Sequence, residues 1–506
     1  MQVKAKLSGV IEGALAAGGD PATSPLYVFG PFLRLIVPAG VAAITFGASI
    51  WLAVLTVVTV SAVYRLVMQW VPDGTGGSGL SEEEFGPWAG KMNAGITFVE
   101  YLLTFLVSMA ALVTFLADRF AGIETNIGGV ELRALIAIGL SAVIAVLVNG
   151  GPRVVSATFG PATAGVLLLL CSLIVASLWR SGLDLPRLQI AAFTGEYLPF
   201  TLGGYARILA LMTGIEVFAN LVGAYSGTSQ ERGRKAFGSL AVVMGTTSLT
   251  MLIVGPAILE LADPTRQDVS VFTQAMDALL PAPLAYLGTL TGVAVLLSAC
   301  ATAAQGIQYL ALGLSHRHYV PRVLGQQNNY GVADRPVWST LAVVTLCFLA
   351  FGTQEETYLA LYAAGVFVLL SMTAWAAARR LARELRIRPG ARQTGLLVAV
   401  GIAAMLTTSA TVVIFWERLF EGAWLYFLVV PLLFLFMTQV RRTLGDPSPE
   451  EDCLGQCIIC SSPCLGPVCA RENARRRLAK HSERVPDGSP LGSVQLAEKT
   501  RGSAHE

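Results

Sequence analysis

The sequence predicts an all-α polytopic membrane protein of about twelve transmembrane helices, and three observations predict it. Apolar residues make up 54% of the 506 residues and charged residues only 13%, where a soluble chain would carry about a quarter charged residues. Mean hydropathy is strongly positive, and the apolar residues are gathered into runs long enough to span a bilayer as helices, separated by short charged loops. The few ionisable residues inside those runs sit at membrane depth, where they are costly and mark function. The net charge of +2 points to no particular partner, and no nucleic-acid partner is expected; membrane lipid is the expected surroundings.

The expected spans are 7–30, 37–64, 89–118, 131–149, 155–179, 199–225, 236–262, 284–314, 336–352, 357–378, 395–416 and 423–440. Lys4 and Lys6 precede the first apolar run, which continues past Tyr27 without a small-residue cleavage site, so no cleavable signal is expected. With the N-terminus in the cytoplasm, roughly 19 Lys/Arg near the spans fall on the cytoplasmic side and about 7 outside, as the positive-inside rule requires. Most of that signal lies in the loop expected after the tenth span: Arg379, Arg380, Arg383, Arg386, Arg388 and Arg392. The loop 263–281 is long and leans acidic, and an even span count returns the C-terminus to the cytoplasm. The chain is expected to divide into a transmembrane transporter domain, 1–442, and a cytoplasmic tail, 443–506. The tail is rich in Pro, Gly, Ser and charge and is expected to be mostly disordered.

The first span carries GGDPATSPLY over 18–27. Asp20 lies about 13 residues, or ~20 Å of helix, into the hydrocarbon. Gly18, Gly19 and Pro21 surround it with helix-breaking residues, and a broken helix at that depth survives only where it lines a cavity or packs against protein. The third span carries Glu100, Thr104 and Ser108 at i, i+4 and i+8, one polar stripe on an apolar helix. Glu100 reads as an ion or proton site facing the bundle interior, or else as a structural partner of Arg207. The sixth span is interrupted at Thr213 and Gly214, with Glu216 opening its second half. Two breaks at matching places in two five-helix halves point to an inverted-repeat transporter site. Glu216 reads first as a first-turn acid that complements its own helix dipole and can cap that helix, and second as a substrate contact. In the eighth span Ser298, Cys300, Thr302 and Gln305 are small or polar enough to line a cavity. Tyr362 in the tenth span reads as a gate or as ordinary packing with one hydrogen bond.

These segments resemble known families. GDPATSPLY (19–27) is similar to the GDxGTSPLY segment of the KUP/HAK/KT potassium-uptake family, with Pro21 and Ala22 departing from it. EYLLTFLVS (100–108) resembles DYxLTxxVS, TGIEVFAN (213–220) resembles TGVEAxxN, and YVPR (319–322) and LYAAGVF (361–367) resemble YxPR and LYAVGVF. Those motifs belong to permeases of the amino acid–polyamine–organocation superfamily, especially the KimA-type potassium/proton symporters. The resemblance covers roughly 7–440. It implies a LeuT-like fold of two inverted five-helix repeats plus two helices, and a homodimer. It also implies site roles: Asp20 and Tyr27 at the potassium site, Glu100, Tyr101 and Thr104 at the third-span cation and proton positions, Thr213 at the sixth-span break, and Tyr362 as the tenth-span site tyrosine. The departures are SHRH (315–318) where relatives have ARD, and the interruption of a Gly-rich stretch by Ser81, Glu82, Glu83 and Glu84.

The superfamily moves both cations and amino acids, so the site residues decide. Pro21 removes an N–H that a substrate carboxylate would use, and Asp20 would repel such a carboxylate in a low-dielectric cavity. A cation gains from Asp20 and from the carbonyls and negative dipole end of the first half-helix, with Tyr27 and Thr213 hydroxyls completing an oxygen shell and Glu100 carrying a coupled proton. The expectation is a secondary active transporter for proton-coupled uptake of potassium in the inner (plasma) membrane. The alternatives are a proton-coupled amino acid or polyamine permease, and a transporter-fold membrane sensor.

An enzyme is not expected. His316, His318, His481 and His505 lie in a loop or the tail, and no nucleophile–base pair or P-loop appears. The tail carries Cys453, Cys457, Cys460, Cys464 and Cys469, a spacing with one C-x2-C that matches no zinc or iron–sulfur pattern closely. A metal at Cys453, Cys457, Cys460 and Cys464 is one reading, beside a redox sensor, lipid-modified thiols and a bland tail. No other cofactor is expected.

Overall fold

A computed structural model describes residues 7–71, 75–127, 129–266, 269–387 and 389–447. The helices, in order, are α1 (Val10–Ala17), α2 (Gly19–Ile36), α3 (Ala42–Trp70), α4 (Gly76–Phe85), α5 (Pro87–Ala117), α6 (Leu132–Asn149), α7 (Pro152–Ser181), α8 (Leu198–Ile208), α9 (Ile215–Asn220), α10 (Ser229–Leu249), α11 (Gly255–Leu261), α12 (Val271–Leu279), α13 (Ala282–His316), α14 (Arg335–Phe351), α15 (Glu355–Ile387), α16 (Ala391–Arg418) and α17 (Leu425–Leu444). Among the described residues, strand pairing beyond isolated bridges is confined to two residues on each side of a turn, Asn126–Ile127 with Val130–Glu131. Helices satisfy every backbone group within the segment, which hydrocarbon demands.

The protein is an all-α polytopic membrane protein. Ten of the described helical segments are long and apolar enough to cross a bilayer, where about twelve spans were expected. The other two expected spans are the first, which is split into α1 and α2, and α14, an apolar helix below that length. Of the membrane-length segments, α5 and α15 are among the most enclosed, whereas α17 presents nearly all of its surface outward. Outward-facing side chains such as Leu168, Val175, Leu290 and Phe420 are exposed and apolar, as a lipid-facing surface requires.

Two expected loops are helical. The Arg-rich segment after residue 378 continues α15 to Ile387. Its charge is offset locally, because Arg380 pairs with Glu83 and Glu384, and Arg383 with Glu84, so the helix need not end where hydrophobicity does. Arg392 lies in the first turn of α16. Within 263–281, α12 forms a short helix whose N-terminus is tied to the end of α5: Asp118 accepts from Ser270 N–H (2.9 Å) and Thr273 Oγ1 (2.6 Å). The acidic insertion Glu82–Glu84 belongs to α4, which is clamped at the bundle's basic end by Arg317, Arg380 and Arg383. Beyond residue 447 the tail lies outside the described residues, with Cys453, Cys457, Cys460, Cys464 and Cys469.

Candidate functional site

The first span breaks at a single residue. Gly18 closes α1 by donating to the Ala14 carbonyl and opens α2 by accepting from Ala22 N–H. Gly19, Asp20 and Pro21, read as helix breakers or their surroundings, are the first three residues of α2. Pro21 therefore sits in a first turn, where a helix has no use for its missing N–H, and the Ala17 carbonyl cannot receive a helical bond from it. Asp20 lies just past the C-terminal end of α1 and in the first turn of α2, near that helix's positive end, a place that also suits an acid structurally.

The sixth-span break is more open. After α8 a 3-10 turn, Leu209–Met212, leads to Thr213 with extended ψ and to Gly214 in the left-handed region, φ 82°. The two breaks touch. A methyl group on Gly214 would lie 2.7 Å from Pro21 Cδ.

Around this contact the structure gathers hydroxyls. Ser24 Oγ lies 3.3 Å from both Tyr27 OH and Thr213 Oγ1. Thr23 Oγ1 donates to the Asp20 carbonyl at 2.6 Å, and Thr213 Oγ1 donates to the Ala210 carbonyl. Asp20 is 7% exposed. Tyr362 OH on α15 points at Asp20 Oδ1 from 3.5 Å, long for an O–H···O bond. Among the described residues no Lys or Arg pairs with Asp20. Ser24 was not singled out from the sequence, although its positions four after Asp20 and three before Tyr27 place it on their helix face.

Glu100 is half-buried on α5, within electrostatic reach of Asp20 and Glu216. Among the described residues its carboxylate has no hydrogen bond or ion pair. The pairing with Arg207 considered from sequence does not form, because Arg207 turns to Glu421 and to the Gly203 carbonyl. Thr104 back-bonds to the Glu100 carbonyl at 2.9 Å and is buried with Ser108. The Tyr101 ring fills the space left by Gly306 on α13, where any Cβ would meet it at 2.6 Å. Cys300 reaches toward the Phe105 carbonyl, holding α13 to α5, and Thr302 bonds back to Ser298 O.

Glu216 does not cap its own helix. Its carboxylate accepts from Tyr64 OH (3.0 Å), Ser78 N–H (3.1 Å) and Ser78 Oγ (3.2 Å), so it caps the N-terminus of α4. Neither partner carried a local signal in the sequence. Among the described residues no group of three or more His, Cys, Asp or Glu could hold a metal ion; the cysteine proposal lies outside them.

At the far end of α2, Arg34 pairs with Glu356 at 2.6 Å. The pair joins α2 and α15, the same helices that bring Asp20 and Tyr362 together. It borders a cavity of about 460 Å³ lined also by Arg207, Arg418 and Glu421.

No protein-family model matches the chain. It is similar to the potassium transporter KimA of Bacillus subtilis (strain 168), 25% identical over 374 residues, which cover 71% of this chain and 59% of that protein. The chain thus spans less than two thirds of the length of the curated relative it matches.

Proposed function

We propose that this chain is a secondary active transporter that takes up potassium with protons by alternating access. The observation that carries the reading is Asp20, a buried carboxylate that has no basic partner among the described residues, at the contact between two interrupted helices. A carboxylate removed from water needs a counter-charge or a proton; Tyr362 OH lies 3.5 Å from it, and the hydroxyls of Ser24, Tyr27 and Thr213 cluster beside the same contact. The similarity to a potassium transporter supports potassium as the cation. Glu100, which has no partner among the described residues and lies near both other acids, is suited to carry the coupled proton. The contact of the two breaks also supports the inverted-repeat arrangement, and the basic cluster on α15 supports cytoplasmic termini in an inner (plasma) membrane.

A polyamine is the second reading, because three neighbouring acids, Asp20, Glu100 and Glu216, would attract an organic polycation as well as a single ion. They disfavour an amino acid carboxylate. The test is growth of a potassium-uptake-deficient bacterium on micromolar potassium. Wild type is expected to rescue and Asp20→Ala is not. Full rescue by the variant removes the site assignment, and no rescue by expressed wild type removes potassium in favour of polyamine uptake, measured with a labelled polyamine.

A further inference from the structure

We infer that a groove between α5, α15 and α16 holds an anionic glycerophospholipid, with its phosphate on Arg379 and an acyl chain along Trp88, Trp375, Leu397 and Gly401. The groove has a volume of about 690 Å³. Its walls are apolar: Trp88 and Trp375 are half-exposed into it, and the Trp375 indole N–H is already satisfied by Thr408 Oγ1 at 2.9 Å. The ring therefore offers its face rather than a polar edge.

One end of the groove is charged. Arg379 lies over the Phe85 ring, its guanidinium carbon 5.4 Å from the ring centroid. Its neighbours Arg380 and Arg383 are taken by Glu83 and Glu84. Among the described residues no carboxylate pairs with Arg379, with Arg386 seven residues on, or with Arg392 at the start of α16. Arg379 is thus the groove's own cation, left over where Glu83 and Glu84 of α4 are already used.

The depth fits a lipid. Counted from the first residue of α15, Glu355, Trp375 lies about 30 Å along the helix and Arg379 about 36 Å. That puts the tryptophan at the edge of a ~30 Å hydrocarbon core and the guanidinium at headgroup level. On the orientation proposed above, this is the cytoplasmic leaflet, which carries anionic lipids. A zwitterionic lipid would fill the same apolar walls but gain less from an unpaired cation.

The test is lipid retention by the full-length protein, purified in detergent and given phosphatidylglycerol or phosphatidylcholine, read by native mass spectrometry. Wild type is expected to retain phosphatidylglycerol preferentially. Arg379→Gln, a change at an exposed side chain, is expected to weaken that retention about five-fold, toward the phosphatidylcholine level. Gly401→Leu fills the groove, since a Cβ there meets nothing within 4 Å, and is expected to lower retention of both lipids. Equal retention of the two lipids by wild type, or Arg379→Gln behaving as wild type, overturns the inference. So does Gly401→Leu leaving lipid unchanged while converting a dimer to monomer, which would mean that a second copy covers the groove. None of these readouts depends on transport.

Discussion

Pro21 and Gly214 occupy adjoining space between the two interrupted helices, so that a methyl group at 214 would approach Pro21 Cδ to 2.7 Å. Gly214 also holds φ at 82°, a conformation that side-chain-bearing residues adopt only with strain. The glycine at 214 is therefore a condition of the contact with α2. The left-handed glycine lets the sixth-span backbone approach the first turn of α2, and that approach brings Thr213 within 3.3 Å of Ser24.

Gly214→Ala is accordingly expected to destabilise the protein by about 1–3 kcal/mol, seen as a lower thermal midpoint of the purified protein in detergent. Adding Pro21→Ala should recover part of the loss by removing the ring, while the backbone strain remains. If the double variant melts with the single one, the left-handed backbone alone decides the cost.

Tyr362→Phe tests the loose bond to Asp20. At 3.5 Å the hydroxyl contributes at most about 1 kcal/mol, below the usual range for a bond to a charged group. The apparent KM for potassium should rise no more than about five-fold with little change in protein level. Asp20→Asn, which removes the buried charge, should abolish uptake. A Tyr362→Phe variant as inactive as Asp20→Asn would show that the hydroxyl binds the ion directly.

Much of the helical pattern was legible because hydrocarbon imposes it. Long apolar runs become helices, and the Thr213–Gly214 break showed as a glycine amid apolar residues. The Glu100–Thr104–Ser108 stripe was legible from spacing alone, since i, i+4 and i+8 share one face. The partners of Glu216 were not legible. Tyr64 and Ser78 lie 152 and 138 residues away in sequence, and nothing local marks a capping acid supplied by another helix. The extension of α15 was hidden for a related reason: its arginines look like a loop until Glu83 and Glu84 on α4 are placed beside them.

Glu216→Ala should lower stability by about 1–3 kcal/mol, because it leaves the fully buried Tyr64 hydroxyl and the α4 N-terminus without their acceptor. Glu216→Gln keeps one acceptor oxygen and should cost less. Combining Tyr64→Phe with Glu216→Ala should cost less than the two single changes together, since donor and acceptor then leave as a pair. Thermal unfolding of the four variants decides, and strict additivity would show that the bond carries no weight.

The clamp on α4 connects this bond to the basic end of the bundle. Glu82 meets Arg317 at 2.6 Å, with side chains 28% and 15% exposed, so the pair is screened less than a surface one. A double-mutant cycle with Glu82→Gln and Arg317→Gln should give a coupling of about 1 kcal/mol, falling at high salt. Ser78, which bonds Glu216, lies one helical turn before Glu82 on the same helix. Loosening the clamp should therefore be felt at Glu216. In a Glu82→Gln background the cost of Glu216→Ala should shrink, because α4 is already less firmly placed to receive the carboxylate. An unchanged cost would mean that packing alone, with Gly76 against Asn220 and Gly77 against Thr373, fixes α4, and that the acids of its last turn serve only to neutralise the neighbouring arginines.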